Sequence, residues 1–470
     1  MTRPSHPRPP SLPPRSCPKP PRSLNALEAP PDVHSPPPLP TPLRSFLNDS
    51  YELSTHVVPA AFPRSTPDIP FPEMPTWTPD KQEWNANVRK TADAMIALRV
   101  KQWNGELESK GSRTPLWVCV NRYVRKGVRE EGKGVTLFFA HANGLHKETW
   151  EPTLLDSSTR PQRLLSRTLR GWAECVSHAE ILTRNISDGP TDDWRDNSRD
   201  ILHFFLHYMP ASCSPNKLPI HLPRLDPTVA EGRRLHGFTS RINVGIGHSL
   251  GGCTVTRAAI TEPALFSSLI LVDPMIRPHP KGELSITSAT YQFTVGAIAR
   301  QIHWPSRDDA RKRFLASPFF AAWHPAVLEL YLECGLYDDP NGGVSLKTPG
   351  KWEAFIFAEG LLAYETWDLI DTLDERIELR WIVSGRNPPE YVVHPPCFIE
   401  RMVWRRPQNA SNVVIPSSGH LITQEAPTEL GKSGVHGTYL PLTKLLQRKR
   451  YTSFSFASMA PKLPVCDLQY

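Results

Sequence analysis

The sequence predicts an α/β protein, a mainly parallel sheet with helices on both faces, and three observations predict it. From about residue 50, short apolar runs of strand length alternate with longer helical stretches, the order that builds a sheet with crossover helices. From residue 134 those runs are apolar throughout rather than at every second position, as in strands buried on both faces. Each run also ends where polar, chemically capable residues begin.

The elements follow in chain order. Proline takes 51 of 470 positions, and sixteen of these fall in the first 42 residues ("PSHPRPPSLPPRSCPKPPRS", "APPDVHSPPPLPTP"). Residues 1–48 are therefore expected to be a disordered Pro-rich arm without a core of its own. "YELSTHVV" (51–58), "LRVKQW" (98–103) and "LWVCVNRYV" (116–124) read as strands of an antiparallel edge. "GVTLFFA" (134–140), "NVGIG" (243–247), "SLILVD" (268–273), "LRWIVSG" (379–385) and "NVVIP" (412–416) read as the parallel strands. Residues 276–375 show no comparable strand and read as all-helical, rich in Trp, Phe and Leu and broken by the turn "DDPNGG". Such an insertion belongs over the sheet's C-terminal edge as a lid. The expected division is a core of 49–275 and 376–440, a lid of 276–375, and a basic tail of 441–470.

Charge and cysteine usage exclude several classes. The net charge of +7 lies at the ends. In the arm Arg3, Arg8, Arg15, Lys19, Arg22 and Arg44 face only Glu28 and Asp32; in the tail Lys444, Arg448, Lys449, Arg450 and Lys462 face only Asp467. The body is close to neutral, so no nucleic-acid or anionic-membrane partner is expected. Eight scattered cysteines without a CxxC pair suit free thiols in a reducing compartment, and no metal is expected. Neither a membrane span nor a secretory signal is expected, since no apolar run reaches the length of a span and the first residues lack an apolar stretch. The expected location is cytoplasmic, and the sequons at Asn48, Asn185 and Asn409 are then unglycosylated.

One stretch carries chemistry. "NVGIGHSLGGCTVTRAA" (243–259) runs an apolar strand into a helix through Gly247-x-Ser249-x-Gly251. A turn this sharp exposes a serine in a strained conformation and requires small residues on either side. A serine nucleophile needs a base, and the base an orienting carboxylate, in the chain order Ser, acid, His. His420 in "NVVIPSSGHLITQEAP" follows the last strand and is the expected base. For the acid, Asp273 at the tip of "SLILVDP" is preferred. Glu390 in "IVSGRNPPEY" is the alternative, since that loop offers only Asn387 nearer the strand. The oxyanion hole needs two backbone N–H groups. Leu250, following the serine, and Asn143, in "HANGLHKETWEP" after the first parallel strand, are the expected donors, with His141 holding the loop.

These residues together resemble the α/β-hydrolase superfamily, and within it a fungal group of serine hydrolases that includes peroxisomal lipases and hydrolase-like toxin-biosynthesis proteins. The resemblance rests on "FFAHANGLHKETWEP", "DDWRDNSRDILHFF", "GIGHSLGG", "LILVDP", "GVSLKTPGKWEAFIFAE" and "SSGHLITQEAP", in order, over about residues 50–430. It implies an eight-stranded sheet with a helical cap, and hydrolysis of carboxylic esters with no metal or cofactor. It also implies that Ser249, His420, Leu250 and Asn143 hold the family's positions, with the acid at Asp273. The sequence departs from the superfamily before "DDW": "RTLRGWAECVSHAEILTRN" replaces the usual strand and D-x-x-x-H-G-x-S turn, and only His178 and the region of Asn185 match it. The chain ends "DLQY", whereas relatives sent to peroxisomes end in a tripeptide such as S-K-L.

The expected function is thus a serine hydrolase acting on a small apolar ester. An acyltransferase or thioesterase with the same triad is the alternative, and a non-catalytic binding relative the third reading. Dehalogenase and epoxide hydrolase chemistry is disfavoured, because both need a carboxylate where Ser249 stands.

Overall fold

A computed structural model describes residues 5–11, 19–31, 36–39, 44–45, 51–65, 70–107, 111–126, 134–154, 193–211, 217–280, 288–386 and 397–433, and the backbone of 173–182. Its centre is an eight-stranded sheet. The strands are β1 (Tyr51–Pro59), β2 (Trp117–Arg125), β3 (Gly134–Ala140), β4 (Ala173–Leu182), β5 (Arg241–His248), β6 (Ser268–Val272), then β10 (Glu378–Ser384) and β11 (Ala410–Ile415), with three short strands, β7 to β9, described below. Their order across the sheet is β1-β2-β4-β3-β5-β6-β10-β11. Only β2 runs against the rest, pairing antiparallel with both β1 and β4.

The register aligns the C-terminal ends of the parallel strands. Ala140 lies opposite Gly247, His248 opposite Val272, Val272 opposite Ile382, and Ser384 opposite Ile415. Loops leaving these tips therefore converge on one edge, where ligands bind in open α/β sheets. Alternate residues fill the two faces. Phe138, Leu269, Leu271, Leu379 and Trp381 join one apolar cluster, and Leu137, Phe139, Ile246, Ile270 and Ile382 join the other.

Twelve helices are labelled. α1 (Lys81–Asn104) precedes β2; α2 (Trp194–His207) and α3 (Pro227–His236) precede β5; α4 (Leu250–Thr261) follows it. Between β6 and β10 come α5 (Ser288–Ala299), α6 (Arg307–Leu315), α7 (Pro318–Ala321), α8 (Pro325–Cys334), α9 (Gly350–Ala358) and α10 (Leu361–Leu369). α11 (Phe398–Val403) precedes β11, and α12 (Ile422–Glu425) follows it. α2, α4, α10 and α11 cover the first apolar face.

Three expectations change. "LRVKQW" is not a strand but the last turns of α1, which Asp80 caps by accepting from the N–H groups of Gln82 and Glu83. Val88, Ala92, Met95, Arg99 and Trp103 are its buried face, a helical spacing that a six-residue window cannot separate from alternation. Residues 173–182 do form a strand although the family's turn sequence is missing, because β2 and β3 both present backbone groups that only an intervening strand satisfies. Third, the segment after β6 is not all-helical. β7 (His303–Trp304), β8 (Leu336–Asp338) and β9 (Val344–Leu346) make a small antiparallel sheet in the order β7-β9-β8. "DDPNGG" is its hairpin, closed by Asp339 N–H to Gly343 O (3.0 Å), with Gly342 and Gly343 at positive φ. Strands of two or three residues are too short to show a period.

Parts of the Pro-rich arm are seated on the body, in contrast to the expected disorder. The Arg22 guanidinium meets Glu365 (2.6 Å), Asp193 (3.3 Å) and Glu359 (3.5 Å). Arg199 donates to the carbonyls of Asn25 and Ala26 (both 2.9 Å), and Trp404 Nε1 donates to His6 O (2.7 Å). Composition measures whether a segment can pack against itself, and says nothing of docking onto a surface formed by the rest of the chain.

Candidate active site

The chain passes from β5 to α4 through Ser249 alone. Its backbone sits at φ 55°, ψ −117°, a region L-residues rarely occupy and which costs about 1–3 kcal/mol. Its N–H donates to Val272 O on the neighbouring strand (3.1 Å), and its carbonyl accepts from Met275 N–H (3.0 Å), so the sheet holds the strain. The surrounding glycines are required by space. A Cβ on Gly247 would lie 2.6 Å from Gly252 Cα, one on Gly251 2.6 Å from His141 O, and one on Gly252 2.6 Å from Pro274 Cβ.

Asp273 leaves the tip of β6 at φ 40°, and His420 stands in the loop between β11 and α12. The three side chains meet in line: His420 Nε2 is 2.9 Å from Ser249 Oγ, and His420 Nδ1 is 2.7 Å from Asp273 Oδ2. A carboxylate only accepts, so Nδ1 carries the proton and Nε2 is left to accept from the serine hydroxyl. Burial alone raises the Asp273 carboxyl, but the hydrogen bond and charge of His420 and the Ser384 backbone N–H (3.0 Å) outweigh it, holding the pKa below the ordinary carboxylate value. The Ser384 hydroxyl, at the tip of β10, also reaches both Asp273 oxygens at 3.2 Å. Glu390 and Asn387 lie outside the described residues.

Leu250 is the first residue of α4, where backbone N–H groups have no helical acceptor. Asn143 follows β3 in a loop that reaches the same turn, as the closeness of His141 O to Gly251 shows. Among the described residues neither N–H is spent on an internal acceptor. The Asn143 side chain donates to Glu353 O on α9 (3.1 Å), and His141 Nδ1 lies 2.9 Å from Ala142 O. Glu353 itself is buried against Gly144 and pairs with Arg300 at 2.6 Å. Burial lifts its carboxyl above the ordinary range despite that arginine.

One residue was missed by sequence reasoning. His248, the last residue of β5, is buried, with Nε2 2.8 Å from His420 O and Nδ1 2.7 Å from Thr423 Oγ1. Its place inside Gly-x-Ser-x-Gly was the signal available. Among the described residues no group of three or more His, Cys, Asp or Glu could hold a metal ion, and no helix is long and apolar enough to cross a membrane.

A buried apolar cluster lies beside the site. Ala142 and Leu145 of the loop after β3 pack with Trp304, Phe314, Trp323 and Tyr331, and Leu421, next to His420, packs against the same cluster.

The chain is similar to known proteins. The family model described as "Alpha/beta hydrolase family" matches residues 137–431. The abhydrolase domain-containing protein AFT2-1 of Alternaria alternata is 34% identical over 119 residues, 24% of this chain and 42% of that protein. The type I acyl-CoA thioesterase mpaH of Penicillium brevicompactum is 28% identical over 183 residues, 37% of this chain and 34% of that protein. The matches thus span well under half the length of these relatives. Among solved structures, the peroxisomal alpha-beta-hydrolase Lpx1 of Saccharomyces cerevisiae superposes with a TM-score of 0.55 at 16% identity, covering 89% of this chain and 94% of that one, which is a likeness of fold.

Proposed function

Because the chain belongs to the alpha/beta hydrolase family, we propose that it is a serine hydrolase that cleaves carboxylic esters of apolar substrates, with Ser249 as nucleophile, His420 as base and Asp273 as orienting acid. The observation that carries this reading is the unbroken line of two hydrogen bonds from Ser249 Oγ through His420 to Asp273, 2.9 and 2.7 Å long. The Trp-, Phe- and Leu-rich composition of residues 276–375, inserted after β6, supports an apolar acyl or alcohol group.

Ser249 Oγ attacks the carbonyl carbon as its proton passes to His420 Nε2, and Asp273 stabilises the resulting imidazolium. The negative charge that develops on the carbonyl oxygen is received by the Leu250 and Asn143 N–H groups. Collapse breaks the bond to the leaving group, which takes the proton from His420. Water then repeats the sequence on the acyl-enzyme, releasing the acid and restoring Ser249.

A fluorophosphonate probe tests the reading. The wild-type chain is expected to label, and Ser249→Ala to lose labelling completely; an unlabelled wild type would favour a non-catalytic binding protein. A second reading, a thioesterase, is favoured by the likeness to the mpaH thioesterase. Matched acyl thioesters and oxygen esters given to the same preparation separate the two by which is turned over faster.

A further inference from the structure

We propose that His248 is a positioning residue that sets the distance between the His420 loop and Ser249; this rests on the serine-hydrolase reading above. The side chain of His420 is 41% exposed, so packing does little to hold its ring. Its loop has other tethers. Ser418 O accepts from Gly385 and Arg386 N–H (3.2 and 3.0 Å), and Gly419 N–H donates to Glu425 Oε2 (2.8 Å). These bind the loop to the tip of β10 and to its own following turn, and none of them refers to the strand that carries Ser249.

His248 supplies that reference. It is covalently joined to Ser249, it is only 1% exposed, and its Nε2 faces the main-chain carbonyl of His420 at 2.8 Å. A carbonyl only accepts, so Nε2 carries the proton. Burial, together with the neighbouring His420, pushes the His248 pKa down to about 3, so the ring is neutral and Nδ1 is an acceptor. Thr423 Oγ1, 2.7 Å from Nδ1, is then the donor that fixes the ring's rotation. Ser249, His248 and His420 thereby form a closed circuit: a covalent bond, a main-chain hydrogen bond and the 2.9 Å contact from Nε2 to Oγ. Opening the circuit frees His420 to move relative to Ser249, and a shift near 1 Å between reacting groups costs up to about a hundred-fold in rate.

The test uses the full chain and a fluorophosphonate probe, separating the limiting rate of serine modification from the half-saturating probe concentration. His248→Phe keeps an aromatic ring but removes the donor. It is expected to lower the limiting rate at least about ten-fold and to change half-saturation by less than about two-fold. His248→Gln places an amide N–H where Nε2 stands and is expected to recover most of the loss, which a purely structural role would not produce. Thr423→Val, which removes only the ring's orienting hydroxyl, is expected to fall between. A wild-type limiting rate in His248→Phe, or a glutamine variant as slow as phenylalanine, overturns the inference. Should His248→Phe not fold, a wild-type rate in Thr423→Val overturns it. If the wild type itself fails to label, the serine-hydrolase reading falls and takes this inference with it.

Discussion

Gly251 shows what the turn around Ser249 demands. Space for a side chain there is closed by backbone: a Cβ would lie 2.5 Å from Ala140 C and 2.6 Å from His141 O. Backbone at a strand tip cannot swing away as a flexible side chain can. Gly251→Ala is therefore expected to destabilise the fold by about 2–3 kcal/mol, in the range of core overpacking, measured as a lower urea midpoint at unchanged slope. A variant with the wild-type midpoint would show that the loop after β3 yields. At this scale much was legible, because the spacing Gly-x-Ser-x-Gly is written in adjacent residues and Gly247 is crowded by Gly251 and Gly252, although the backbone that crowds Gly251 comes from the end of β3 and the loop after it. His248 was not legible, since its role depends on a carbonyl 172 positions away.

Among the elements, α2 carries an unusual pair. His203 and His207 are buried one turn apart with ring centroids 5.1 Å from each other, and among the described residues neither ring nitrogen of His203 has a hydrogen-bond partner. Burial, the mutual repulsion and nearby arginines hold His203 well below its ordinary value, and burial and arginines hold His207 down at about 4. An unfolded chain protonates histidine near 6.5, so below that pH the unfolded state binds more protons than the folded one. Stability is then expected to fall as pH drops from about 6.5 toward 4, by up to about 1.4 kcal/mol per pH unit for each histidine. His203→Leu should flatten the change in urea stability between pH 7 and pH 5; an unchanged slope would mean that the pair is not its source. Element identity was legible for the long apolar strands. It failed for residues 98–103, where a helix imitated alternation, and for 173–182, where pairing rather than pattern makes the strand.

At the level of the whole molecule, the arm is part of the fold's electrostatics. Asp193, Glu359 and Glu365 are all buried, and Arg22 is the arm's cation among them. Burial lifts Glu359 to about 7 even with Arg22 present. Arg22→Met leaves these carboxylates with one positive charge fewer, and breaking a buried ion pair costs about 3–5 kcal/mol. The loss is expected to be larger at pH 8 than at pH 6, because protonation of Glu359 relieves the uncompensated charge at the lower pH. Equal losses at both pH values would show that Arg22 acts through packing instead.

The sequence by itself determined the α/β class, the strand-to-helix turn at Ser249 and the candidacy of His420, because steric limits at a turn and the apolarity of a buried strand are written in adjacent residues. Only the tertiary structure decided that Asp273 stands against His420, that His248 grips the same loop, and that Arg22 enters a buried acidic cluster. Those contacts join residues 147, 172 and 343 positions apart. They exist only once the sheet has brought its strand tips to one edge and the arm has found the surface those elements make.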